Sequence, residues 1–550
     1  MAFEELLERA GGMGLFQVLQ LATLFLPSLF TPPNLLLENF SAVSPSHRCW
    51  TSVLDNGSQI PANLTPEALL AVSIPLGPDQ QPHRCRRFRH PQWQLLDPNN
   101  TATNRSEAAT EPCVDGWVYD YSTFTSTIVT TWDLVCSDQG LKPLGQSVYM
   151  MGLLMGTFVW GILSSRLGRK PMLTWCWLQT GVAGTSTVFA PNFPIYCGLR
   201  FLSAFGLSGS ILITTTLTEW TTTRWRAVAM TIQCCTYSMG QMGLAGLAFA
   251  LRDWRALQLA VSVPFLLTFL ISWWLPESAR WLLIKGKPDQ ALGELQKVAR
   301  INGCKEAPKT LTTEVLKSTM EEEMTCGEAQ RTLLDLFQVP ILVRRIWVMS
   351  MVSVCIQLSY YGLVLDLQSL GRDLFLLQAL FGAVDIVGRV TSIPMLSLLG
   401  RRMTLASFQA LAGACILANV LVPQDLQALR VALAVLGRGC FAITLTSITV
   451  YGTELFPTSL RMAANGFQQS LGRVGAIAGP LLRMAHQTLP LLPPLSYGTV
   501  PIVSGLVMRL CLPDTQGQPL PDTVQNLESQ RHSAARDNRK AVIITQSTWL

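Results

Sequence analysis

The chain has 550 residues, 49% of them hydrophobic and only 14% charged, where soluble domains carry about 25% charged residues. This is the composition of a membrane protein, and the formal charge of +6 matters through where the arginines fall relative to a bilayer, not as a nucleic-acid footprint. Five histidines, three of them in one polar segment (His47, His83 and His90), give no metal-ligand spacing. HExxH, GxSxG and Walker A patterns are missing, so no metal, cofactor or enzyme activity is expected.

A short mixed-charge start, residues 1–14, precedes an apolar run from Leu15 to about Leu37. That run is long enough for a retained first membrane helix and lacks a small-residue cleavage site. Pro27, Pro32 and Pro33 fall inside it and each frees a backbone carbonyl, which predicts a helix beside a cavity or a simple kink. Residues 38–145 then turn polar. All five N-x-S/T acceptors of the chain lie there, at Asn39, Asn56, Asn63, Asn99 and Asn104, which predicts a glycosylated extracellular loop. Cys49, Cys85, Cys113 and Cys136 in such a loop predict two disulfides, with three possible pairings.

Apolar segments of spanning length follow near 146–164, 171–190, 193–217, 227–250 and 255–275, and after a charged stretch near 342–366, 373–398, 403–422, 428–452, 463–486 and 489–512. With the first, twelve transmembrane helices are predicted. Arg166, Arg169, Lys170, Arg224, Arg226, Arg401, Arg402 and Arg461 fall in loops on one side, while the opposite loops near 191 and 487 carry no Lys or Arg. The positive-inside rule therefore puts both termini in the cytoplasm. The charged stretch, 276–341, reads as a helical cytoplasmic linker between bundles at 15–275 and 342–512. The polar tail, 513–550, ends with Thr548 and Leu550 in the pattern of a carboxy-terminal PDZ-domain ligand.

The two halves echo one another. Gly168-Arg169-Lys170 recurs as Gly400-Arg401-Arg402, displaced by 232 residues; Glu219 and Arg226 recur as Glu454 and Arg461, displaced by 235; Pro276-Glu277-Ser278 recurs as Pro513-Asp514-Thr515, displaced by 237. A parallel repeat of six helices makes two bundles about a pseudo-two-fold axis, with substrate held between them near the midplane. The charged residues Arg166, Arg169, Glu219, Arg226, Glu454 and Arg461 are expected as helix-end ion pairs that latch the cytoplasmic side.

Charge inside the membrane is the functional clue. Arg473 lies about three turns into the eleventh span with no acid three or four residues away. An arginine near mid-bilayer costs about 2.5–3.5 kcal/mol on insertion scales, so it faces a wet path or a partner, unless it snorkels to a headgroup. Arg389 sits in the eighth span with Asp385 four residues earlier, either neutralised by it or free to take part in binding. The N-terminal half offers no mid-span acid, and cationic excess without a central carboxylate points to anionic cargo and away from proton coupling through a carboxylate. Tyr237 and Gln241 of the fifth span, with Gln357, Tyr360 and Tyr361 of the seventh, supply rings and amides to orient a flat ligand.

GILSSRLGRKP (161–171) resembles the loop motif of the major facilitator superfamily. CVDGWVYD (113–120), PESARWL (276–282) and ELFPTSLR (454–461) resemble the organic ion transporters of solute carrier family 22. LLENFS (36–41), HRCW (47–50), CRRFRHPQWQLLDP (85–98), YYGLVLDLQSLGRD (360–373) and QPLPDT (518–523) are similar to its urate and steroid-sulfate exchanger branch. The resemblance implies an antiporter exchanging organic anions for dicarboxylates or other anions at an apical plasma membrane. By motif, Arg473 falls on the family's anion-contacting arginine and Arg389 on its eighth-helix basic position; Tyr360 and Tyr361 match an aromatic pair, and Tyr237 and Gln241 match pocket positions. Ser165 and Asp514 depart from the usual aspartate and glutamate. An organic cation or zwitterion carrier is the alternative within the same architecture.

Overall fold

The computed structural model describes residues 6–8, 10–56, 64–77, 80–96, 109–217, 220, 223–304, 314, 316, 337, 339–364, 373–423, 425–456 and 461–515, with backbone alone at 213–217, 223–231, 284, 453, 461–463 and 487. Within it, twelve helices of 18 residues or more follow the predicted spans. In the first half they are α1 (Leu15–Leu36), α2 (Leu141–Leu167), α3 (Arg169–Ser186), α4 (Phe193–Leu217), α5 (Thr223–Ala250) and α6 (Trp254–Ile271). In the second they are α7 (Pro340–Val364), α8 (Leu374–Leu398), α9 (Arg401–Leu421), α10 (Gln427–Leu455), α11 (Arg461–Met484) and α12 (Leu492–Cys511). Eight of the twelve are long and apolar enough to cross a membrane on composition alone. The other four, α3, α5, α11 and α12, complete the bundles by position.

Among the described residues the most extensive pairings between the halves are α2 with α11 and α5 with α8. Exchanging each helix for its counterpart six places away in the other half, α2 for α8 and α11 for α5, turns the first pair into the second, as a pseudo-two-fold axis requires. Close approach depends on small residues: a Cβ on Gly240 of α5 would lie 2.1 Å from the Leu29 carbonyl oxygen of α1, the carbonyl that Pro33 leaves without its helical donor.

The duplicated loops do related work with different chemistry. Gly168 and Gly400 both have positive φ, +115° and +81°, and each opens a helix. At the first, Glu277 accepts hydrogen bonds from the backbone N–H groups of Arg169 (2.8 Å) and Lys170 (3.2 Å), a carboxylate at a helix N-terminus. At the second, Arg401 pairs with Glu454 at 3.0 Å and Thr515 donates to Glu454 at 2.7 Å. Among the described residues the ion-pair partner of Glu454 is thus Arg401, and the Arg169 guanidinium donates to Ser164 at 3.0 Å. Glu219 and the side chains of Arg226 and Arg461 lie outside the described residues, as do Thr548 and Leu550.

Between α1 and α2 the chain forms a cap. Strands β1 (His47–Cys49) and β4 (Trp117–Tyr119) pair antiparallel, as do β2 (Arg86–Phe88) and β3 (Thr110–Pro112). Disulfides join Cys49 to Cys113 and Cys85 to Cys136, one of the three pairings open to the sequence. Arg87 of β2 is clasped by Glu111 (2.9 Å) and Asp115 (2.7 Å). The boundary predicted at residue 38 is corrected: α1 is followed at once by a buried helical turn, Glu38–Ser41. Asn39 in that turn is 3% exposed and its amide nitrogen donates to the Val364 carbonyl at 3.1 Å. A glycan on Asn39 is incompatible with this packing. Asn56 is exposed, and Asn63, Asn99 and Asn104 lie outside the described residues.

Candidate functional site

A cavity of about 210 Å³ lies between the bundles. From the first half, α1 lines it with Pro27, Ser28 and Thr31, α4 with Ser210, and α5 with Gln233 and Tyr237; from the second come Gln357, Tyr360 and Tyr361 of α7, Arg389 of α8 and Arg473 of α11. Six of the seven residues predicted to bind substrate therefore meet around one space.

Glycines set Arg473 on its wall. A Cβ on Gly475 would lie 2.1 Å from the Val354 carbonyl oxygen, and one on Gly472 would lie 2.6 Å from Ser353 Oγ. The backbones of α11 and α7 can approach this closely only because those side chains are missing, and the approach brings Arg473 beside Gln357 and the tyrosine pair. Among the described residues no carboxylate forms an ion pair with Arg473.

Arg389 shares its aspartate. Its Nε donates to Asp385 Oδ2 at 3.3 Å across one helical turn, while Ser238 of α5 donates to the same oxygen at 2.9 Å. The other oxygen of Asp385 faces Arg438 of α10 at 3.4 Å. Arg438 is fully buried, donates to Gln241 Oε1 at 3.0 Å, and lies over the Tyr360 ring at 4.3 Å. Tyr360 in turn meets Tyr361 edge to face, with centroids 5.2 Å apart. Gln241 is thereby corrected: it is fully buried and holds Arg438 from across the bundle interface instead of lining the cavity.

Among the described residues, Arg438, Arg389 and Arg473 against Asp385 leave an excess of two positive charges around the cavity. In a medium of low dielectric such charges attract an anionic guest strongly. Arg438 was missed from sequence, as was Arg200 of α4, which is fully buried with Tyr149 beneath its guanidinium at 4.1 Å. The signal was available: both arginines interrupt predicted spans, and they lie 238 residues apart, close to the repeat displacement.

The cap-side ends of the bundles are joined. Besides the Asn39 contact, Phe40 stacks on Phe375 of α8 with centroids 5.6 Å apart, and Ser147 of α2 donates to the Ile477 carbonyl of α11 at 3.2 Å.

Twelve helices in two related bundles around a charged central cavity define a membrane transporter of the major facilitator fold. The family model described as sugar (and other) transporter matches residues 107–526, and the chain is similar in fold to the inward open xylose transporter XylE from E. coli, with a TM-score of 0.60 at 15% identity over 94% of this chain and 99% of that one. Human solute carrier family 22 member 11 is 64% identical over the whole of both chains, and human solute carrier family 22 member 12 is 51% identical over the whole of both. The human steroid transmembrane transporter SLC22A24 is 45% identical, covering 96% of this chain and 97% of its own. The chain belongs to solute carrier family 22.

Proposed function

We propose that this chain is a multi-pass plasma-membrane antiporter that exchanges organic anions, sulfated steroids and urate among them, for dicarboxylates or other anions by alternating access. The observation that carries this reading is the cationic excess at the cavity: Arg473 without a described acid, and Arg389 with only a share of Asp385. A quaternary ammonium cargo would meet the wrong sign of charge there. In this reading Arg473 and Arg389 neutralise the cargo, Tyr237, Tyr360 and Tyr361 stack on its body, and Gln357 orients it. Ligand pockets usually measure about 300–1,000 Å³, so a cavity of about 210 Å³ accepts a small ring anion as it stands and widens for a steroid.

The paired cysteines belong in an oxidising compartment, so the cap faces outward, with Asn56, Asn63, Asn99 and Asn104 as glycan acceptors and both termini in the cytoplasm. The Arg401–Glu454 pair then lies on the cytoplasmic side, where it ties α9 to α10 within the second bundle, an apical membrane is the expected location, and Thr548 and Leu550 offer a PDZ-domain ligand.

The test is trans-stimulation. Cells preloaded with glutarate are expected to take up labelled steroid sulfate and urate faster than unloaded cells, with no competition from tetraethylammonium. Uptake blocked by the ammonium and indifferent to preloading would establish the cation carrier instead.

A further inference from the structure

Glu38 is an unused buried acid at the junction that closes the cap side. It is 7% exposed, in the same turn as Asn39 and Phe40, which hold α7 and α8. We infer that Glu38 is a proton-binding site that couples anion uptake to the pH on the cap side; this rests on the anion-transport reading.

Three features carry it. The nearest cation is Arg200, whose Nη2 stands 4.0 Å from Glu38 Oε1, beyond hydrogen-bonding reach. Its Nη2 donates to the Asn34 carbonyl at 3.3 Å and the guanidinium rests on the Tyr149 ring, while Nε and Nη1 make no hydrogen bond to Glu38 or to any other described residue. A buried ion pair without direct hydrogen bonds does not offset the desolvation of its two charges.

Second, Gln146 of α2 serves either protonation state. One end of its amide lies 2.7 and 3.1 Å from the two Glu38 oxygens. With nitrogen at that end the amide donates to the carboxylate. With oxygen there, the amide accepts the proton of the carboxylic acid, and its nitrogen donates to the Leu35 carbonyl at 3.4 Å. A half-turn of one side chain satisfies both forms.

Third, among the described residues no other acid pairs with Arg200 or bonds to Glu38. From α2 come Lys142, Gln146 and Tyr149, and from α4 Tyr196, Cys197 and Arg200. The charged residue of α6 is Arg255, whose guanidinium lies over Trp254 at 4.7 Å. The second bundle meets this turn through Val364, Phe375 and Gln378, none of which titrates.

Opening the cap side would wet Glu38; closing it buries Glu38 again, and burial favours the neutral acid. The proton comes from the outer solution, forms one O–H bond on the carboxylate and cancels one charge, leaving Arg200 as an added cation beside the entrance. Acid outside therefore favours closure over a negatively charged cargo.

The test uses the full chain and a labelled steroid sulfate, whose own charge is constant from about pH 5.5 to about pH 8. Wild-type uptake is expected to rise at least about fivefold from the alkaline to the acid end. Glu38→Gln, which mimics the neutral acid, should hold the wild-type acid rate throughout, and Glu38→Asp should keep the slope with a displaced midpoint. A wild-type slope in a surface-expressed Glu38→Gln, or a flat wild type, would overturn the inference while transport itself stands. If no anion enters at any pH, the transport reading falls and the coupling with it. Infrared difference spectra of the purified protein then decide the proton site alone: a protonated-carboxyl carbonyl band lost in Glu38→Gln supports it, and the lack of that band in the wild type removes it.

Discussion

Each half of this transporter buries one arginine beside one carboxylate and one tyrosine ring, but only the second half turns positive charge toward the cavity. In the first, Arg200 stands against Glu38 and Tyr149, one cation for one acid, away from the cavity lining. In the second, Asp385 divides itself between Arg438 at 3.4 Å and Arg389 at 3.3 Å, and Arg473 adds a further cation. A duplicated architecture thus carries an unduplicated charge. The second bundle reads the sign of the cargo, while the first, with Ser28, Thr31, Ser210, Gln233 and Tyr237, shapes the opposite wall.

The sharpest way to break this comparison is to reverse the charge at Arg473. Arg473→Asp is expected to reduce uptake of labelled steroid sulfate by more than about 100-fold, since losing one partner of a desolvated charge pair costs about 2–5 kcal/mol, with surface expression unchanged. Unaltered uptake would return the cargo's charge to some other group. Next in size is Asp385→Asn, which leaves fully buried Arg438 without an acid. That change is expected to destabilise the fold by about 3–5 kcal/mol, read as a lower thermal midpoint and reduced surface expression. Glu38→Gln in the first half should cost far less, because Glu38 stands 4.0 Å from Arg200 without a hydrogen bond to it, whereas Asp385 accepts from Ser238 and Arg389 and faces Arg438 at 3.4 Å. Equal losses would mean that the two arginine sites are equivalent after all.

A smaller effect separates the two rings. Tyr149→Leu and Tyr360→Leu each remove a cation–π contact of about 2 kcal/mol in a desolvated setting, and both should lower the thermal midpoint. Only Tyr360 lines the cavity, so only Tyr360→Leu should also raise the KM for steroid sulfate. A matching rise in Tyr149→Leu would extend the binding wall into the first half.

Much of this asymmetry could be read before any coordinates. Twelve apolar runs, the displaced Gly-Arg loops and the lone Arg473 follow from hydropathy and repetition, which are properties of the chain read along its length. Arg438 and Gln241 were harder because their meaning lies in pairing across the bundle interface, which linear spacing does not show. Arg438 also sits in a span whose apolar neighbours mask one charge. Glu38 and Asn39 failed for a different reason. Polar residues followed by a sequon look like a loop, and only the helix running on past three prolines into a turn packed on Val364 and Phe375 shows that they are buried. Among the ion pairs, spacing suggested Glu454 with Arg461, whose side chain lies outside the described residues; Arg401, which the tertiary fold also brings to Glu454 from the neighbouring helix, could not be read from spacing.

The smallest expected effect lies in the cap and has the opposite sign to the one at Glu38. Burial lowers the His47 imidazole below its ordinary value of 6.5, opposed by its hydrogen bond with the Pro45 carbonyl and assisted by nearby Arg84. With the folded-state pKa depressed, the unfolded cap binds the proton more readily. The stability that neutral His47 contributes is complete above pH 6.5 and is lost as the pH falls through 6.5 toward the lower folded value. Mild acid should therefore loosen the cap slightly, seen as faster limited proteolysis of its loops, and His47→Gln should flatten that dependence. Acid acting through His47 weakens structure, whereas acid acting through Glu38 closes the cap-side junction and promotes uptake. A rise of uptake in acid that survives His47→Gln and disappears in Glu38→Gln would assign the response to the membrane core; one abolished by His47→Gln would assign it to the cap.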